Sequence, residues 1–131
     1  MADCKIGLVG FGDIAKATAK RLTPFECELY YWNRTRQSKE IEEEYDVSYL
    51  ELDELAKECD FISLHVAVTE ETTEIINKEF LKKMKKSAYV INTARGELVN
   101  NVAMREALIN GEIKGAGFDT VHPEPTQKDN P

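Results

Sequence analysis

Short apolar runs alternate with amphipathic stretches along the chain. Lys5-Ile6-Gly7-Leu8-Val9 is an apolar run of strand length. From Asp13 onward Ala15, Ala19 and Leu22 fall at helical spacing, and Pro24 stops the helix. Glu28-Leu29-Tyr30-Tyr31-Trp32 is rich in residues that fit a pleated surface, which predicts a second strand. Residues 38–44 read as a polar, acidic helical stretch whose charge run faces solvent. Residues 47–50 predict a short third strand, and 51–58 a brief helix with Leu52, Leu55 and Ala56 turned inward. Residues 61–66 predict a fourth strand, apolar enough for burial on both faces. A polar loop covers 69–73. Asn77 is placed to cap a helix through Met84, with Phe80, Leu81 and Met84 inward and lysines outside. A fifth strand follows at 87–92, then a helix capped by Asn100 or Asn101 that ends at Asn110-Gly111, then a sixth strand within 113–118. The tail 123–131 holds three prolines and no core residues, so it is expected to leave the domain surface.

Gly10-Phe11-Gly12 sits between the first strand and the first helix. A pyrophosphate is well placed at a helix N-terminus, where unpaired N–H groups and the positive dipole end point at it. Gly10 permits the tight turn, Gly12 lets the backbone approach the phosphates, and Ala15 takes the third small position for close packing of helix on strand. A lone GxGxxA pattern is weak evidence. Here a strand precedes it, a helix follows, and a second strand ends where a ribose is read, so the pattern predicts dinucleotide binding. Asp13 and Ile14 open the helix beside the phosphates and join the predicted cofactor contacts. With strands alternating with helices, the prediction is a three-layer α/β fold: a Rossmann-type doubly wound parallel sheet.

An acidic residue after the second strand would bind ribose hydroxyls and repel a 2′-phosphate. This chain has Asn33-Arg34-Thr35-Arg36 there: an amide, two guanidinium groups and a hydroxyl. Arginine forks suit phosphate oxygens and stack on adenine. The segment therefore predicts that NADP(H) is favoured over NAD(H), with NAD(H) as the alternative cofactor.

At 131 residues the chain has room for a single domain with a full core. A net charge of −7 argues against general nucleic-acid or membrane-surface binding, and no apolar run approaches a membrane span. Met1-Ala2-Asp3 leads almost directly into the first strand, unlike a signal peptide, so a cytoplasmic location is expected. The three cysteines, Cys4, Cys27 and Cys59, lie at strand starts and read as reduced, partly buried small residues. No CxxC pair or His/Cys cluster predicts a metal site.

The second half carries a more specific pattern. Cys59-Asp60-Phe61-Ile62-Ser63-Leu64-His65-Val66, Thr72-Thr73, Phe80-Leu81, Met84-Lys85, Asn92-Thr93-Ala94-Arg95-Gly96 and Gly115-Ala116-Gly117-Phe118-Asp119 resemble the nucleotide domain of the D-isomer-specific 2-hydroxyacid dehydrogenases. The resemblance covers nearly the whole chain. It implies hydride transfer between a nicotinamide and the C2 of a small 2-keto or 2-hydroxy acid. Arg95 matches the family's catalytic arginine, whose guanidinium can grip a carboxylate and polarise a keto oxygen. Glu124 matches the glutamate that keeps a catalytic histidine protonated. Asp119 matches an aspartate near the nicotinamide, Thr93 and Ala94 match the segment beneath the cofactor, and Val66 and Ala67 lie in the loop by the adenosine.

Three positions depart from the family pattern. Asp13 stands where a basic or polar residue is usual, and a carboxylate beside phosphates weakens binding unless it turns away. Ala67 replaces a frequent Pro, and Asn100 a common Asp, the latter an equivalent helix cap. The family's catalytic histidine and substrate domain have no counterpart in these residues, and His65 and His122 do not match that histidine. The expectation is an isolated cofactor domain, inactive alone, from a reductase of a small acid such as glyoxylate or hydroxypyruvate. The alternative is a non-catalytic nucleotide-sensing or dimerisation module, and a homodimer through the nucleotide domain is expected in either case. A 6-phosphogluconate-type dehydrogenase shares the early GFG pattern but not the TARG and GAGFD segments.

Overall fold

A computed structural model describes residues 4–22, 27–92 and 94–118 of the chain. In chain order the elements are β1 (Lys5–Val9), α1 (Asp13–Leu22), β2 (Glu28–Trp32), α2 (Lys39–Tyr45), β3 (Val47–Tyr49), α3 (Leu52–Glu58), β4 (Phe61–Leu64), α4 (Lys78–Lys83), β5 (Tyr89–Asn92), α5 (Asn101–Ile109) and β6 (Gly115–Phe118). A single turn of 3₁₀ helix covers Gly96–Leu98.

The six strands form one sheet in the order β3-β2-β1-β4-β5-β6, parallel throughout. The chain runs outward from β1 to β3, then returns to start again at β4. That reversal puts a topological switch point between β1 and β4, where open α/β sheets bind ligands. The doubly wound α/β fold expected from the alternation is the fold observed.

Alternate residues of each strand feed two cores. Ile6, Leu8, Leu29, Tyr31 and Val47 pack under α1, against Phe11, Ala15 and Ala19. Val9, Ile62, Leu64 and Val90 face the other way, against Leu55, Phe80, Leu81, Met104 and Ala107 of α3, α4 and α5. Asn77 caps α4 by accepting from the Phe80 N–H at 3.0 Å, and Asn100 caps α5 through the Ala103 N–H at 2.9 Å.

Four expectations are corrected. The strand expected over 61–66 ends at Leu64, and only Ile62 and Leu64 are buried while Phe61 and Ser63 are half-buried. The fifth strand, expected from 87, starts later, at Tyr89, while the sixth falls within its expected span, at Gly115–Phe118. Leu52 at the start of α3 is half-buried, leaving Leu55 and Ala56 as the inward residues. Finally, the acidic run on α2 is not wholly solvated: Glu42 is buried, because Tyr31 and Arg36 bring it hydrogen bonds.

Candidate functional site

The loops at the C-terminal ends of β1, β2 and β4 enclose a cleft of about 270 Å³, lined by Gly10, Gly12, Trp32, Asn33, Arg34, Val66 and Ala67 among others. Gly10 has φ +97°, and a Cβ there would stand 2.6 Å from Val66 Cγ1 and 2.9 Å from the backbone of His65. Only glycine fits this turn. The Gly10 N–H donates to the Trp32 carbonyl at 2.6 Å, tying the turn to the end of β2. At Gly12 a Cβ would meet nothing within 4 Å, so the bare backbone opens α1 toward open space. Asp13, the first residue of α1, is exposed. Ile14 is 74% exposed, an apolar side chain with no part in the core. Phe11, by contrast, is buried against the rings of Tyr31 and Tyr45.

The segment after β2 is built more tightly than its sequence suggests. Asn33 Oδ1 accepts from the Phe11 N–H at 3.3 Å, while its Nδ2 donates to the Thr35 carbonyl at 2.9 Å. Asn33 thus stitches the glycine turn to the loop after β2. Arg36 donates to both carboxylate oxygens of Glu42, at 3.0 and 3.2 Å, and lies over the Tyr49 ring. Tyr31, fully buried, donates its hydroxyl to Glu42 and accepts from the Gln37 N–H at 2.9 Å. Hydrogen bonding from Arg36, then from Tyr31, holds the Glu42 carboxyl below its ordinary range. Burial, aided by Glu42, pushes the Tyr31 hydroxyl up to about 12. Arg34 is exposed and pairs across the cleft mouth with Glu71 at 3.3 Å. Thr35 is exposed beside it.

The opposite wall is the loop after β4. The His65 N–H donates to the Val9 carbonyl at 2.7 Å, and its Nε2 lies 2.9 Å from Ser63 Oγ. Burial lowers the pKa of this imidazole, which favours the neutral ring. Thr72 Oγ1 donates to the Ala67 carbonyl at 2.7 Å, fixing the backbone where Ala67 replaces proline.

Beyond β5 the chain turns at Ala94 and Arg95. Asn92, fully buried, holds that turn from below: Oδ1 accepts from the Ala94 N–H at 3.0 Å and Nδ2 donates to the Arg95 carbonyl at 2.8 Å. The Arg95 side chain is 63% exposed, with one guanidinium nitrogen 3.5 Å from Glu97 Oε2. Arg95 therefore stands at a strand end on a fixed backbone, with most of its guanidinium accessible.

The structure brings Gly10, Gly12, Asn33, Arg34, Val66 and Ala67 together in one cleft, with Asp13, Ile14, Thr35 and Arg36 on its flanking segments. Ala94 and Arg95 close the next loop along the sheet edge. Thr93, Asp119, His122 and Glu124 lie outside the described residues. The sequence reading missed the roles of Glu42 and Asn92, which hold the loops rather than line the cleft, and of Thr72, which does both. One signal for Glu42 was available: it lies three residues before Tyr45 on α2, on the helix face that packs toward Phe11.

A parallel sheet of order 3-2-1-4-5-6, a glycine turn at the switch point and an open helix N-terminus above it define a dinucleotide-binding domain. The family model for the NAD-binding domain of D-isomer-specific 2-hydroxyacid dehydrogenases matches residues 1–131, and the chain belongs to that family. It is similar to a glyoxylate reductase of Thermococcus litoralis, 47% identical over 92% of this chain and 36% of the relative. It is also similar to a mitochondrial formate dehydrogenase of Oryza sativa, 37% identical over 96% of this chain and 34% of the relative. Among solved structures, a D-isomer-specific 2-hydroxyacid dehydrogenase from Lactobacillus delbrueckii in its NAD-complexed form superposes with a TM-score of 0.85, at 39% identity over 91% of this chain and 35% of that one. A Granulicella formate dehydrogenase superposes with a TM-score of 0.94, at 32% identity over 98% of this chain and 35% of that one. The chain thus spans about a third of the length of the relatives it matches.

Proposed function

We propose that this chain is the cofactor-binding domain of an NAD(P)-dependent reductase acting on a small 2-keto acid. The observation that carries the reading is the pairing of Gly10, which the fold forces to be glycine, with Gly12, which the fold leaves open. A bound nicotinamide supplies or accepts the hydride. The first N–H groups of α1 would hold the pyrophosphate, with the exposed Ile14 available to an apolar part of the nucleotide. Asp13 is exposed and free to turn into solvent, so it need not oppose the phosphates.

The cofactor preferred is NADP(H). Arg34, exposed at the cleft mouth, exchanges Glu71 for a 2′-phosphate, and Thr35 adds a hydroxyl. Arg36 supports the loop from behind. Arg95 grips the carboxylate of the acid and polarises its keto oxygen, and Glu124 raises the proton affinity of a histidine supplied by the rest of the parent enzyme. By the resemblance, Thr93, Ala94 and Asp119 serve the nicotinamide end of the cofactor. On this reading the 131 residues bind cofactor but turn over no substrate alone.

One observation favours association as well. Val102 and Ile109, two turns apart on α5, are 67% and 71% exposed, an apolar stripe suited to a second copy. The chain holds a single tryptophan, Trp32, and it lines the cleft. Its fluorescence therefore reads cofactor binding directly. Saturable quenching by NADPH or NADH supports the reading, and no change at millimolar cofactor contradicts it.

A further inference from the structure

We infer that Cys4 and Cys27 form a redox-modifiable pair, able to close as a disulfide at the end of the sheet opposite the cofactor cleft. The register of β1 on β2 pairs Lys5 with Glu28, which sets Cys4 beside Cys27 one step earlier. The Glu28 N–H donates to the Cys4 carbonyl at 3.0 Å, so the ladder extends to the cysteines. Neighbouring strands lie about 4.8 Å apart, within the Cα separation that a disulfide spans. Both side chains pack on the same cluster, beside Ile6 and Leu29. Their sulfurs are already 3.3 Å apart, Cys4 Sγ donating to Cys27 Sγ. A small rotation about each Cα–Cβ bond brings them to bonding distance. Both residues are half-buried, which leaves them within reach of a small oxidant.

Cys4 keeps its proton, since burial and the neighbouring sulfur push its pKa up to about 11. Cys27 then releases its proton to solvent, and its thiolate attacks a small disulfide such as oxidised glutathione. A Cys27–S–S–R bond forms and one RS⁻ leaves. Cys4 then gives up its proton to solvent, and its thiolate attacks the Cys27 sulfur and expels the second RS⁻. The two thiols are oxidised to one disulfide and the reagent is reduced to two thiols.

Cys59 provides an internal contrast. It is fully buried in the other core, and burial pushes its pKa up to about 12, so it exchanges slowly and has no cysteine neighbour among the described residues. The new bond would close a span of 23 positions that contains the Gly10–Gly12 turn and all of α1. Such a closure restricts the unfolded chain and leaves the cleft, at the far ends of the strands, untouched.

The test uses the full chain, reduced and then equilibrated with glutathione disulfide under native conditions. The expected result is a monomer on a non-reducing gel that has lost two of its three titratable thiols. Peptide mapping should find Cys4 joined to Cys27, and the melting temperature should rise and return on adding dithiothreitol. In Cys4→Ser, Cys27 should stop at the mixed disulfide with no such rise. Retention of all three thiols, a link only between two molecules, or a link that includes Cys59 would each overturn the proposal.

Discussion

Arg36 and Glu42 meet in a two-pronged pair, Nε to Oε2 at 3.0 Å and a terminal nitrogen to Oε1 at 3.2 Å. The pair is backed by the buried Tyr31 hydroxyl and covered by the Tyr49 ring. Of the two arginines after β2, one is therefore a strut and the other, Arg34, is held among the described residues by an exposed carboxylate.

The two arginines should thus behave differently when removed. Arg34→Ala should weaken NADPH binding about tenfold and leave NADH binding nearly unchanged, because one charge-assisted contact to the 2′-phosphate is lost. Arg36→Ala should weaken both cofactors and lower the melting temperature, because the loop loses its anchor. Titration of Trp32 fluorescence with each cofactor, alongside thermal melts, separates the two patterns.

The two glycines of the turn should separate folding from binding. Gly10→Ala adds a Cβ 2.6 Å from Val66 at φ +97°, and should cost about 2 kcal/mol or more of stability. Gly12→Ala meets nothing in the protein, so its melting temperature should match the wild type. Its cofactor affinity should nevertheless fall at least about tenfold, since the methyl group occupies the phosphate's approach. A Gly12→Ala chain that binds cofactor normally would show that the phosphates lie elsewhere.

Asn92 should matter more than its distance from the cofactor suggests. Asn92→Ala leaves the Ala94 N–H and the Arg95 carbonyl without their partner, at a cost of about 2 kcal/mol. On the proposed role of Arg95, the turnover number of a parent enzyme carrying this domain should fall as Arg95 is misplaced, while cofactor affinity changes little. Chemical denaturation of this chain and steady-state kinetics of the parent check the two halves.

Asp60 gives the fold an acid-sensitive joint. Its carboxylate accepts from the Lys5 N–H at 2.8 Å and from Lys85 Nζ at 3.2 Å, which lowers its pKa from the ordinary 3.8. A lowered folded value means the stabilisation is fully present above the ordinary value and is lost as pH falls through the folded one. Asp60→Asn should cost about 1 kcal/mol at neutral pH, and the difference from wild type should shrink as pH falls below the ordinary value and through the lowered folded one. Urea unfolding at a series of pH values measures it.

What the sequence made legible is what short-range pattern controls. Gly10, Gly12 and Ala15 could be read because one backbone geometry requires those residue types at that spacing. Asn77 and Asn100 could be read because a cap needs only its own helix. The end of β4 at Leu64 was hidden, since apolar Val66 continues the pattern while the backbone leaves the sheet to wall the cleft. Glu42 was hidden for another reason. Its burial depends on Tyr31 and Arg36, which reach it only through the folded order of β2 and α2. Asn92 reads as the last residue of a strand, and its two bonds to the Arg95 turn exist only once that turn has formed.

Calorimetric titration of the chain with NADPH and with NADH is the decisive measurement for the proposed cleft and for Arg34 as its selector of NADPH. Both cofactors should bind, NADPH more tightly, and Arg34→Ala should abolish the difference. NADH binding alone or more tightly would contradict the role of Arg34, and binding of neither would contradict the cleft itself.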